Sequence, residues 1–260
     1  MWYHSLNAIL GLRIKREQAA SMGARRVAIS VDVWNTLLST AKFFDALSRG
    51  LSVVIGISAS EALESVNRAY KRVKEMRARG ELDLGRIVDQ CIEVLAEELK
   101  ASREDVRRGV ARTVAFENLD HLAFEDAAHA LKEMRDLEIP VVALSNVTFW
   151  PGWYTRLILE RSGLGELLTA QVYADEAHAL KPDPRMFLRA QKALEEAGVK
   201  AEVVAHVGDD FREDFLGAMI AGLKGVLVDR QGRYEEGSYF HGRGCVVRSM
   251  SRLAELLELK

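Results

Sequence analysis

Cysteine is nearly missing from this chain: Cys91 and Cys245 are the only two in 260 residues. They are far apart and neither belongs to a Cys-x-x-Cys pair. That excludes a disulfide scaffold and a thiolate zinc site, and it fits a reducing cytosol. Long apolar runs are missing too, since no stretch approaches the ~20 residues that a membrane helix needs. Charge of one sign is not in excess. The 36 Lys and Arg against 38 Asp and Glu leave a net charge of -2, which gives no electrostatic argument for nucleic acid or an anionic membrane as partner. Asn and Gln are scarce at five each, a sparing use of thermolabile amides seen in thermophile proteins. No internal repeat or low-complexity segment breaks the pattern. The reading is a soluble, cytoplasmic, globular protein of one large domain or two small ones.

What is present begins with Met1 to Ser21, which carries Leu6, Ile9, Leu10, Leu12 and Ile14. Its positive charges follow the apolar part, the reverse of a secretory signal. Residues 1–25 therefore read as an N-terminal helical arm that packs on the domain or on a second subunit, a homodimer in the latter case. Arg26 to Leu38 then reads as a buried strand, β-branched and apolar from Val27 to Val33, with Asp32 near its C-terminal end and Asn35-Thr36 as a turn.

From there the pattern turns helical. Ser58 and Glu61 form a capping box ahead of apolar residues at helical spacing, closed by Gly80. Leu84 to Leu99 is a second helix, and Ser102 starts a third. Leu51 to Ile57 is ambiguous between helix and strand. After Phe124 strands and helices alternate: Ile139 to Leu144, Ala170 to Tyr173, Val203 to Val207, Gly225 to Val228 and Val246-Val247 as strands, with helices at Tyr154–Ser162, Arg185–Ala197, Asp214–Ala221 and Met250–Leu259. Strands separated by single helices imply a parallel sheet. The expected division is an α/β core over 26–39 and 120–260, interrupted by an all-helical insertion over 40–119.

Four polar clusters follow or flank the strands: Asp32 with Asn35-Thr36, Ser145-Asn146, Lys181 before Pro182, and Gly208-Asp209-Asp210 with Asp214. In an open parallel sheet ligands bind beyond the carboxyl ends of strands, so neighbouring strands would bring these clusters to one crevice. Asp32 is then a nucleophile toward phosphorus or a metal ligand; its alternative is a helix cap. Asp209, with Asp210 or Asp214, suits Mg²⁺, which takes a few carboxylates, water and phosphate oxygens. Ser145 can hydrogen-bond a phosphoryl oxygen, and Lys181 can neutralise the nucleophile and transition state. Singly, Ser145-Asn146 also reads as a turn, Lys181 as a surface charge and Asp214 as a cap. His206 reads as a core or supporting residue. The aromatic run Phe149 to Tyr154 is either a packed loop or an apolar wall for a leaving group.

Taken in order, these clusters resemble the haloacid dehalogenase superfamily. Asp32-x-Trp34-Asn35-Thr36-Leu37, Leu144-Ser145-Asn146, Lys181-Pro182-Asp183-Pro184 and Gly208-Asp209-Asp210-x-x-x-Asp214 match its four motifs. The resemblance implies a Rossmann-like core with a parallel central sheet and an inserted helical cap. It also implies a covalent intermediate on Asp32, with Mg²⁺ held by Asp32, the Trp34 carbonyl and Asp209, supported by Asp210 and Asp214. Thr36, Ser145, Asn146 and Lys181 are the expected substrate contacts. One position departs from the pattern. Phosphatases of this superfamily usually carry a second aspartate two residues after the nucleophile, as general acid and base; here Trp34 stands there. Dehalogenases of the superfamily also lack that aspartate, but they lack the Gly-Asp pair kept here as Gly208-Asp209. The expectation is a Mg²⁺-dependent hydrolase of a small phosphorylated metabolite. A metal-independent 2-haloacid dehalogenase and a non-catalytic phospholigand-binding protein are the alternatives.

Overall fold

A computed structural model of the protein describes residues 26–258; the arm expected over 1–25 lies outside the described residues. β1 (Arg26–Val31) is followed by four helices in succession, α1 (Thr40–Ile55), α2 (Ala59–Arg79), α3 (Ile87–Leu99) and α4 (Arg103–Phe116). The alternating part follows: α5 (Glu125–Asp136), β2 (Val141–Ser145), α6 (Gly152–Arg161), β3 (Ala170–Tyr173), α7 (Ala174–Ala177), α8 (Pro184–Glu196) and β4 (Ala201–Gly208). A π-helical segment at Phe211–Leu216 leads into α9 (Gly217–Ile220), then β5 (Lys224–Val228), β6 (Gly237–Tyr239), β7 (Gly244–Val247) and α10 (Leu253–Leu256).

The strands form one seven-stranded sheet in the order β3-β2-β1-β4-β5-β7-β6. All neighbours run parallel except β6 and β7. A parallel sheet covered on both faces reads as continuous apolar sequence, and β2, Val-Val-Ala-Leu-Ser, is buried at every residue. β1 lies in the interior, with Val31 opposite Ala143 of β2 on one side and Val207 of β4 on the other. Its C-terminal end is therefore flanked by the ends of two strands that come from different parts of the chain, a switch point of a Rossmann-like sheet.

The four helices α1–α4 pack apolar faces on one another, in a buried cluster continuous with the core of the sheet. α1 buries Phe43, Leu47 and Leu51, α2 buries Ala62, Val66, Ala69 and Val73, α3 buries Cys91 and Leu95, and α4 buries Val106, Val110 and Val114. Each fully buried Leu or Val contributes roughly 1.5–3 kcal/mol relative to exposure. α1 and α4 pack closely because both present glycine at the contact. A Cβ on Gly50 would run into the Thr113 side chain and the Gly109 carbonyl, and one on Gly109 into Leu51. The Ser58–Glu61 capping box is present in full, and Gly80 ends α2 with φ at +70°. Among the described residues no single helix is long and apolar enough to cross a membrane.

Several sequence expectations shift. The ambiguous stretch from Leu51 is helical to Ile55, with Leu51 buried and Val53 exposed, and Gly56 then turns the chain at φ +81°. The helix expected over Asp214–Ala221 starts three residues earlier: the Asp210 carboxylate accepts from the amides of Arg212 and Glu213 and nucleates it there. The helix expected over Met250–Leu259 is a 3₁₀ turn at Met250–Arg252 and one α turn ending at Leu256. β6 was not expected. Its three residues, Gly-Ser-Tyr, are exposed or half-buried and carry no apolar alternation.

Candidate active site

The site is assembled at the carboxyl end of β1. Asp32 follows the strand directly, and its amide donates to the Val207 carbonyl of β4 at 2.8 Å. The chain then closes a tight turn. The amides of Leu37 and Leu38 both donate to the Val33 carbonyl, at 2.8 and 2.9 Å, and Asn35 adopts φ +62°, a left-handed conformation that asparagine tolerates. Leu37 and Leu38 are fully buried and pin the turn. Thr36 donates weakly to Asp32 Oδ2 at 3.4 Å, and its carbonyl accepts from Arg230 at 3.0 Å.

Asn146, just past β2, joins three segments through its amide. Its Oδ1 accepts from the Lys181 amide at 2.9 Å, and its Nδ2 donates to the Lys181 carbonyl at 3.1 Å and to Glu213 at 2.9 Å. Asn146 thereby fixes the backbone of Lys181, whose side chain is only 1% exposed. The Lys181 ammonium lies 2.6 Å from Asp32 Oδ1 and 2.7 Å from Asp214 Oδ1. Beneath it, His206 Nε2 donates to Asp214 at 3.1 Å while Nδ1 accepts the Ser30 hydroxyl at 2.9 Å. Burial holds the His206 pKa below its ordinary value, so the ring is neutral and keeps this tautomer. His206 is thus a buried supporting residue.

Asp32, Asp209 and Asp214 bring carboxylate oxygens within 4.8 Å of one another. Their electrostatics differ. Burial pushes the Asp32 carboxyl up to about 7, with Lys181 opposing and Asp214 adding to the shift. Burial and the Asp32, Asp214 and Asp210 charges raise Asp209 well above the carboxylate range. Asp214 is buried as well, yet Lys181 and His206 hold it below that range. Its Oδ2 also accepts from the Asp210 amide at 3.0 Å, so both oxygens of Asp214 are engaged. Asp209, by contrast, makes no hydrogen bond with any described residue. Gly208 permits this packing, since a Cβ there would overlap the Asp214 carboxyl.

Asp210, expected to support the metal, is engaged outside the Asp32, Asp209 and Asp214 cluster. It turns away from the cluster, its Oδ1 capping Arg212 and Glu213 and its Oδ2 taking the Lys74 ammonium of α2 at 2.6 Å. Ser145 is buried at the tip of β2, with its hydroxyl donated to the Asn146 carbonyl at 3.1 Å. Trp34 packs on Phe43 and Trp150, with ring centroids 5.0 and 5.1 Å away. Phe149 and Trp150 are buried and Trp153 is exposed, so the aromatic run is partly packed loop and partly cavity wall. His178 is exposed and approaches only the Leu84 carbonyl. The sequence reading missed Thr40, Tyr70, Lys74, Arg77 and Glu213. All five line the cavity of about 50 Å³ that α1 and α2 close over Asp32 and Asp209. The available signal was Tyr70, Lys74 and Arg77, spaced to share one face of α2.

The chain belongs to the haloacid dehalogenase-like hydrolases: the model of that family matches residues 27–222. Curated relatives sit at low identity. A glyceraldehyde 3-phosphate phosphatase of Methanothermobacter thermautotrophicus is 25% identical over 235 residues, covering 89% of this chain and 98% of that protein. Haloacid dehalogenase-like hydrolase domain-containing protein 3 of Danio rerio is 38% identical over 74 residues, which span only 28% of this chain and 29% of that protein. Among solved structures, the HAD-hydrolase YfnB of Bacillus subtilis bound to magnesium superposes with a TM-score of 0.68 at 14% identity, covering 90% of this chain and 99% of that one. The L-2-haloacid dehalogenase of Xanthobacter autotrophicus gives 0.63 at 17% identity over 90% of this chain and 98% of its own. At these identities the structures share the fold.

Proposed function

We propose that this hydrolase is a Mg²⁺-dependent phosphatase of a small phosphorylated metabolite, working through an aspartyl-phosphate on Asp32 under a cap formed by α1–α4. The observation that carries the reading is Asp209, an unpartnered carboxylate beside Asp32 in an all-oxygen cluster. Such a donor set suits a hard divalent cation. Asp32 and Asp209 would hold it together with the Trp34 carbonyl, while Asp214, saturated by Lys181, His206 and the Asp210 amide, anchors Lys181. When bound, the cation neutralises charge between the nucleophile and the phosphoryl oxygens.

The remaining work falls to the chain. An Asp32 oxygen forms the bond to phosphorus as the ester oxygen leaves, and Lys181 stabilises the charge on both. The Ser145 hydroxyl, rotated away from the Asn146 carbonyl, and the backbone amide of Asn146 would receive the phosphoryl oxygens, since the Asn146 side chain is fully engaged. The indole of Trp34 supplies no proton, so water protonates the leaving oxygen and a second water then hydrolyses the aspartyl-phosphate. Good leaving groups are therefore favoured. The test is hydrolysis of p-nitrophenyl phosphate with Mg²⁺ and with chelator, in the wild type, Asp32→Asn and Asp209→Asn. Mg²⁺-dependent turnover lost in both variants supports the reading. Halide release from a 2-haloacid in chelator, with no phosphatase activity, replaces it with a dehalogenase.

A further inference from the structure

The cavity has two halves. One is the acidic cluster that the proposed reaction uses. The other is formed by the first turn of α1 and the C-terminal part of α2, facing Trp34 and Trp150. What this second half offers a ligand follows by elimination. Its two cations are already matched across the cavity mouth. Lys74 donates to Asp210 at 2.6 Å, while Arg77 donates to both Glu213 oxygens at 3.1 Å and to the Val147 carbonyl at 2.9 Å. Each of these two charges already faces a carboxylate, while Arg77 Nε keeps a buried N–H without a partner.

Besides Arg77 Nε, two hydroxyls of α1 and α2 are left over. Thr40 is 6% exposed and its Oγ1 has no hydrogen-bond partner. The Tyr70 hydroxyl makes no hydrogen bond with any described residue, although its ring is held edge-on to Phe44 at 5.2 Å. A buried polar group without a partner costs roughly 1–3 kcal/mol, so a ligand that bonds the Thr40 hydroxyl recovers that cost, and the half-buried Tyr70 hydroxyl offers it a second hydrogen bond. A carboxylate brought to the same place would be desolvated without a counter-charge. The rest of the wall is Trp34, Phe44 and Trp150 with Thr148. The space is small, about 50 Å³, where a single water needs about 10–15 Å³.

We infer that the group esterified to phosphate is a small, uncharged fragment bearing hydroxyl or carbonyl oxygens, held by Thr40 and Tyr70. Carboxylate-bearing analogues are rejected because Asp210 and Glu213 already occupy the cavity's cations. This inference rests on the phosphatase reading.

The test is a panel assayed with Mg²⁺: p-nitrophenyl phosphate, glycerol 3-phosphate and glyceraldehyde 3-phosphate against 3-phosphoglycerate and phosphoserine. The expected kcat/KM is at least about tenfold higher for the uncharged pair than for the carboxylates; equal or better turnover of the carboxylates overturns the inference. Thr40→Val and Tyr70→Phe should each raise KM for glycerol 3-phosphate by about tenfold while kcat stays within about twofold. An unchanged KM in both folded variants overturns it too. Asp210→Asn frees Lys74 and keeps a helix cap, so kcat/KM for 3-phosphoglycerate should rise several-fold; no gain removes the basis of the selectivity. If p-nitrophenyl phosphate is not hydrolysed, the phosphatase reading fails and this one with it. If it is hydrolysed and the panel order is reversed, this inference alone fails.

Discussion

Replacing Lys181 by methionine tests the electrostatic design of the site in one step. The Lys181 ammonium is buried between Asp32 at 2.6 Å and Asp214 at 2.7 Å. At an effective dielectric constant of about 20, each contact supplies about 6 kcal/mol of Coulomb attraction before desolvation is subtracted. Removing one partner of a buried ion pair typically costs about 3–5 kcal/mol, because the remaining charge is left uncompensated. Here two carboxylates are left, beside Asp209. The variant should unfold about 3–5 kcal/mol more easily at pH 7 in chelator, a fall in Tm on the order of 10 °C for a domain of this size.

The sign with pH is opposite to ordinary acid denaturation. Burial already raises Asp32 to about 7, and Lys181 is the main group opposing that rise, so its loss raises Asp32 further. A carboxyl whose folded pKa lies above its unfolded value contributes stability at low pH and loses it as pH rises through the folded value. The gap between Lys181→Met and wild type should therefore be widest near pH 8 and shrink toward pH 4. Urea denaturation across that range, with circular dichroism as the probe, reads it directly. A gap below about 1 kcal/mol at pH 8, or one that widens on acidification, refutes the reasoning.

Gly208→Ala places a methyl group against the Asp214 carboxyl; phosphatase turnover should fall by about 10²-fold or more as Asp214 and Lys181 shift, and a wild-type rate would show that their placement does not matter. Trp34→Asp removes a ring packed on Phe43 and Trp150, so it should lower stability by about 3–5 kcal/mol. In protein that remains folded it should nevertheless raise the ratio of alkyl to aryl phosphate turnover by about tenfold or more; an unchanged ratio means that proton supply is not limiting. Asp126 is partly buried, yet Arg230 and the Met250 amide hold its carboxyl below the ordinary value. The stability it contributes is present above the unfolded pKa of about 4 and is lost as pH falls through the lower folded value. The destabilisation measured for Asp126→Asn at pH 7 should accordingly shrink as pH falls below about 4, and a constant gap would count against it.

The core of the site was legible in the sequence because its residues follow strands, and strand ends are marked by a change of residue class. Asp32 interrupts a β-branched run, Ser145 closes one, and Gly208 ends another. The cap side was not legible for a related reason. The pattern of α2 shows which residues face inward, Val66, Ala69 and Val73 among them, but not which polar residues face a cavity. Lys74 and Arg77 acquire meaning only from Asp210 and Glu213, 136 residues further along the chain. The placement of Asp210 was hidden for the same reason: two adjacent aspartates look alike in sequence, and only the turn at the end of β4 sends one to the acidic cluster and the other to Lys74. β6 escaped because three exposed or half-buried residues carry no period.

The segment from Gly208 to Asp214 thus has two faces. Asp209 and Asp214 look toward the nucleophile, while Asp210 and Glu213 look toward α2 and take its Lys74 and Arg77. A single short piece of backbone, wound in part as a π-helix, therefore serves both the acidic cluster and the cover above it. Whatever settles this piece in one arrangement favours both at once. On the proposed reading, a cation at Asp209 and a helix docked on Asp210 and Glu213 would be linked quantities, and linkage is reciprocal: to the extent that the loaded site would hold the cover shut, the shut cover would hold the load.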